Sequence, residues 1–141
     1  MYKMKLFVFC DNNRPIMPGL KADVEVCESP DVSQKIDYFY SQVEAFGFLE
    51  TCESDLGLEE LMNKVCKNGS LKVQGIDIYQ TVQNLSKGEI DCTEFSQLAV
   101  AGKKRAVSLH DLVDNINARK DFSLEYAGLS GLNYILEAKR I

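Results

Sequence analysis

Side chains able to do chemistry are few in this sequence, and their spacing does not favour it. His110 is the one histidine, whereas hydrolytic metal chemistry wants two or three clustered imidazoles or thiolates. The five cysteines, Cys10, Cys27, Cys52, Cys66 and Cys92, are odd in number and form no C-x-x-C pair. That pattern suggests neither a disulfide framework nor a zinc knuckle, and reads as buried, reduced thiols of a cytoplasmic protein. No G-x-G-x-x-G, G-x-x-x-x-G-K or G-x-S-x-G occurs, and Gly128-x-x-Gly131 is too short for a dinucleotide loop. Carboxylates cluster at Glu59-Glu60 and at Glu50, Glu53 and Asp55. Acid–base work, however, needs one carboxyl with a raised pKa in a cleft, and acids near helix ends are usually solvated. A thiol nucleophile at Cys52 or Cys92 would need His110 beside it. The expectation is a protein without catalytic residues, metal or cofactor: not an enzyme.

Charge offers a different kind of site. The 141 residues hold 16 Lys+Arg and 21 Asp+Glu, a net charge of −5. That balance argues against coating a nucleic-acid duplex, which needs a net basic face. Residues 44–60 carry Glu44, Glu50, Glu53, Asp55, Glu59 and Glu60 and no base at all. Residues 101–141 lean the other way, with the basic run Lys103-Lys104-Arg105 in an interhelix loop. The acidic stretch reads either as solvated helix-start acids or as a negative patch for a basic protein partner. Tyr38, Phe39 and Tyr40 read as core and rim packing rather than as a stacking platform. No segment approaches the ~20 apolar residues of a membrane span, and no membrane partner is expected.

The elements that must position these groups follow from periodicity. Residues 4–10, rich in aromatic and branched side chains, read as a strand ending at Asp11-Asn12-Asn13-Arg14-Pro15. Residues 20–27 alternate strictly, as a second strand joined to the first by a wide hairpin. Ser29-Pro30-Asp31 signals a helix start, and Val32, Ile36, Phe39, Val43 and Phe46 supply its stripe up to Gly47. Residues 48–52 then return as a third strand. From Asp55 onward the pattern reads as helices. They cover about 56–67, stopped at Asn68-Gly69, then 76–86, then a piece capped by Asp91-x-x-Glu94. The last two start at Ser108 and run over 130–139, with Phe122-Ser123-Leu124 extended between them. The fold class expected is α+β, a small N-terminal β-β-α-β layer followed by a mainly helical C-terminal half. The division falls at 1–54 and 55–141.

Residues 75–124 resemble the middle helical region of antirestriction proteins of the ArdA family. The counterparts are Ile78 to Leu85, Thr93 to Ala99, Ser108 to Val113, and Asp121-Phe122. The resemblance implies a non-catalytic protein of a mobile element that occludes a type I restriction enzyme by mimicking DNA. Glu44, Glu50, Glu53, Asp55, Glu59 and Glu60 would then imitate phosphates towards a basic partner, without direct nucleic-acid contact. The alternative is a generic interaction or regulatory module without mimicry; a homodimer is compatible with both.

Overall fold

The computed structural model describes residues 4–9, 24–52 and 56–141. Six strands form one sheet: β1 (Met4–Phe9), β2 (Val24–Glu28), β3 (Tyr40–Phe46), β4 (Val65–Ile76), β5 (Phe122–Ser130) and β6 (Asn133–Arg140). Their order is β2-β1-β3-β4-β6-β5. The first four run parallel, and β6 lies antiparallel between β4 and β5. The helices are α1 (Gly57–Lys64), α2 (Ile78–Ser86), α3 (Cys92–Phe95), which runs into a π turn, and α4 (Leu109–Ala118). β3 and β4, which precede and follow the expected division in the chain, pair within this sheet.

The mixture of helices and strands is as expected, but its distribution is not. The back half holds three strands, so it is not mainly helical. Among the described residues of 1–54 there is no β-β-α-β layer: β1 and β2 are parallel, which excludes a hairpin, and their connection lies outside the described residues. The stripe from Val32 to Phe46 is split between a 3-10 turn (Ser29–Gln34) and β3. Val43 and Phe46 are three residues apart and would share a helical face, yet in a strand they point opposite ways. Accordingly Val43 is buried and Phe46 is exposed. Residues 49–51 are a 3-10 turn rather than a third strand.

The helix at 57–64 forms as expected, with Leu58, Leu61 and Met62 buried, but it hands over directly to β4. Asn68-Gly69 is therefore an irregularity inside a strand and not a helix stop. Asn68 adopts a positive φ of 65°, and the register against β3 slips between Tyr40 and Gln42. A Cβ on Gly69 would stand 3.0 Å from the Ser41 carbonyl oxygen, so the bulge needs glycine. Residues 133–140 form β6: Tyr134, Leu136 and Ala138 are buried in alternation, and period two defeats the helical reading.

Capping was legible. The Asp91 side chain accepts from Glu94 N–H at 2.8 Å, completing a capping box, and Ser108 Oγ accepts from Asp111 N–H at 3.2 Å. Helices α1 and α4 pack side by side on one face of the sheet. Leu58, Leu61, Leu112 and Ile116 join Val43, Leu71, Val73 and Leu136 in one core. At the N-terminal edge of the parallel strands, Arg119 Nη2 donates to Asp121 at 2.7 Å and Arg140 pairs with the same carboxylate at 3.1 Å. The Arg119 hydrogen bonds hold the Asp121 carboxyl below its usual range.

Candidate functional site

Parallel strands aim their C-terminal ends at one edge of the sheet, and in open α/β sheets ligands bind where the strand order reverses. Here that point lies between β1 and β3, since the chain passes from β1 to β2 on one side and returns to β3 on the other. The described residues ending there are Phe9, Glu28 and Phe46, followed by Gly47 in the left-handed region at φ 68°. Glu28 is exposed at the tip of β2, and Phe46 is 41% exposed at the tip of β3.

Next along the edge, Glu50 and Asp77 fasten the loops that follow β3 and β4. Asp77 Oδ2 accepts from Gln80 N–H at 2.9 Å, capping α2, while Oδ1 accepts from Leu109 N–H at 2.7 Å at the start of α4. One carboxylate thus satisfies the orphan donors of two helices, each such cap being worth about 1 kcal/mol. Glu50 is 3% exposed. Its Oε1 accepts from Ile76 N–H at 2.9 Å, and its carbonyl accepts from Lys104 N–H at 2.7 Å and Arg105 N–H at 3.2 Å. The Tyr134 hydroxyl lies against this carboxylate, yet neither Oη nor Glu50 Oε2 has a satisfying hydrogen bond. Burial pushes the Glu50 carboxyl up, against the pull of its hydrogen bonds and of Lys103. Gly75 makes room for the pair: a Cβ there would strike Glu50 Oε1 and come within 2.6 Å of Tyr134 Oη.

Beyond Glu50 a cavity of about 360 Å³ opens between α1 and α4, with Leu49, Leu58 and Leu112 among its walls. The segment 105–108 forms its rim, held to the start of α2 by a 2.9 Å hydrogen bond from Ile78 N–H to the Val107 carbonyl.

No family model matches the chain, and no curated protein matches it by sequence. Solved structures do. A SAM-dependent methyltransferase from Mesorhizobium loti superposes with a TM-score of 0.59 at 9% identity, covering 86% of this chain and 72% of that one. One from Methanosarcina mazei gives 0.55 at 10% identity over 100% and 94%. A third, from Thermotoga maritima, gives 0.54 at 12% identity over 84% of this chain, which spans only 65% of that protein. The fold is similar to that of these methyltransferases.

That finding corrects the earlier functional reading. The ArdA resemblance of residues 75–124 is overturned, because those residues are the end of β4, α2, α3, α4 and the start of β5 within a methyltransferase-like sheet. Its motifs are helix-packing motifs, which any amphipathic helix laid on a sheet satisfies. The antirestriction, DNA-mimicking function falls with it. The expectation of a protein that is not an enzyme is likewise overturned, because the solved structures this fold resembles are methyltransferases. That expectation rested on missing side-chain motifs, whereas open α/β sheets place ligands at strand ends and turns.

The described acids of the expected patch occupy different settings. Glu44 lies mid-strand on β3, where it accepts from Gln42 Nε2 at 2.7 Å. Glu50 is buried, Glu59 is exposed and Glu60 half-buried on the first turn of α1, and Glu53 and Asp55 lie outside the described residues. His110 is exposed and sits 3.5 Å from Asp114, not against a thiol. Cys27 is buried, and burial pushes its thiol up to about 11. Among the described residues no group of His, Cys, Asp and Glu is arranged to hold a metal ion, and no helix is long and apolar enough to cross a membrane. Sequence reasoning missed Glu28 and Asp77. Both have a signal of the same kind: an acid at the point where an alternating run ends.

Proposed function

We propose that this chain binds S-adenosylmethionine at the C-terminal edge of its parallel strands and serves in methyl transfer to a small acceptor. The observation that carries the reading is the strand order β2-β1-β3-β4-β6-β5, with its reversal beside β1 and its antiparallel last pair. The residues there fit the adenosyl group. Glu28 offers a carboxylate at the tip of the second strand, where doubly wound nucleotide sites hold ribose hydroxyls. Phe46 offers an aromatic wall, and acidic side chains suit a ligand whose sulfonium is positive. Residues 10–23, which join β1 to β2, carry one glycine, Gly19, in place of a glycine-rich turn, and their placement is outside the described residues.

When bound, the cofactor supplies a methyl group on a cationic sulfur, already activated for transfer. The protein has to hold, orient and shield. Glu28 fixes the ribose end. Glu50 is a positioning residue: it ties the turn after β3 to Ile76 and to the backbone of Lys104 and Arg105, keeping the acceptor rim in register with the strand ends. Leu49 and Leu58 exclude water beside them. A cytoplasmic setting suits the free thiols of Cys27, Cys52, Cys66 and Cys92.

The test is calorimetric titration with S-adenosylmethionine, alongside detection of S-adenosylhomocysteine formed with candidate acceptors. Glu28→Ala should weaken cofactor binding by about tenfold or more, as expected for losing hydrogen bonds to a charged group. Absence of binding at millimolar cofactor, or unchanged affinity in Glu28→Ala, would overturn the reading.

A further inference from the structure

The cavity between α1 and α4 carries opposite charges that do not meet. Arg105, half-buried on the rim, and Asp111, on the first turn of α4, both line it. Neither has an ion-pair partner among the described residues, and they do not pair with each other. The remaining wall is mixed: the buried Leu49, Leu58, Leu112 and Val107 supply apolar surface beside the polar Ser108 and Asn115. Asp114, one turn beyond Asp111, also lines it but sits 3.5 Å from His110. At about 360 Å³ the space falls in the range of small-molecule sites and exceeds what a single water would fill.

From this juxtaposition we infer that the cavity binds a small dipolar molecule with an amine and a carboxylate on an apolar frame. Arg105 takes the carboxylate, where its planar fork suits bidentate contact, and Asp111 takes the ammonium group. A ligand carrying one charge leaves the other cavity charge without a partner, so the arrangement selects for both together. That this ligand is the methyl acceptor rests on the function proposed above; that the cavity binds it does not.

Titrations without S-adenosylmethionine test it with three probes of one size. L-leucyl-L-leucine carries both charges, N-acetyl-leucyl-leucine only the carboxylate, and leucyl-leucinamide only the amine. The dipeptide should bind about tenfold tighter than either, the expected worth of one charge-assisted contact. Arg105→Gln should weaken the dipeptide and the acetylated probe and leave the amide unchanged; Asp111→Asn should do the converse. Both side chains stand at the surface of the rim, so the folded core persists in each variant. No binding of any probe at millimolar concentration overturns the inference, as does equal affinity for all three or indifference to Arg105→Gln. A protein that binds the dipeptide but not S-adenosylmethionine sinks the methyl-transfer reading alone. One that binds the cofactor and ignores the probes sinks this one alone.

Discussion

On the face of the sheet beneath α1 and α4, Val43, Leu71, Val73 and Leu136 are sealed from water, whereas their chain neighbours Glu44, Lys72 and Glu137 line up across β3, β4 and β6 on the other. Lys72 Nζ sits 3.7 Å from Glu137, with the side chains 36% and 44% exposed. Parallel strands usually run hydrophobic on both sides because helices cover both faces. These alternate, and among the described residues the α-helices that pack on strands lie on the first face. The contrast teaches where the stability resides and where change is tolerated. The candidate site sits at neither face but at the edge where the strands end, so its residues need not follow either pattern.

The strongest way to break the comparison is Leu71→Ala. Leu71 is 1% exposed, and truncating it leaves a cavity under α1 and α4, which costs about 2–5 kcal/mol. Urea unfolding followed by circular dichroism measures it, with the midpoint falling and the slope retained. A loss of only a few tenths would mean that the helices do not seal this face.

How much of this was legible depends on whether the signal is local. Caps and turns depend on neighbours in the chain, and the Asp91–Glu94 box and the Ser108 cap were read correctly from spacing alone. Strand pairing does not. The run Val32, Ile36, Phe39, Val43, Phe46 satisfies a helical stripe, and only parallel contact with β1 and β4 selects the extended form for its second half. The same holds for 133–140, where Leu132, Ile135 and Leu136 suit a helix until β4 and β5 close around Tyr134, Leu136 and Ala138. At the site, Glu50 was noticed as an acid and assigned to a surface patch. Its burial comes from Gly75 and Tyr134, distant residues that make a recess for it. Glu28 and Asp77 needed the strand ends to be located before either had a role.

Glu50 sharpens the comparison from the edge. Burial raises its carboxyl pKa above the ordinary 4.5, so the folded chain holds this proton more tightly than the unfolded chain does. Stability from this group is therefore full at low pH and is lost as pH rises from the unfolded value through the folded one. Glu50→Gln keeps an acceptor for Ile76 N–H and removes the ionisation. The stability of the variant relative to the parent should increase on going from acid to neutral pH, by less than the Leu71→Ala loss. Chemical denaturation at several pH values reads it. A constant difference across the range would show that Glu50 does not change protonation between the folded and unfolded chains.

The smallest effect belongs to the open face. Lys72 lies between Glu44 and Glu137 across three strands, so it separates two like charges and pairs loosely with one. Exposed pairs contribute about 0–1 kcal/mol, because solvent screens them and two long side chains must be held still. Lys72→Ala should therefore cost less than ~1 kcal/mol at low salt. The cost should shrink towards zero at about 1 M salt, where the screening length falls to about 3 Å. Stability against salt, measured side by side for parent and variant, separates charge from packing. If Lys72→Ala instead costs as much as Leu71→Ala and ignores salt, the lysine stem is packed under protein. The two faces would then be alike, and the contrast between them would fail.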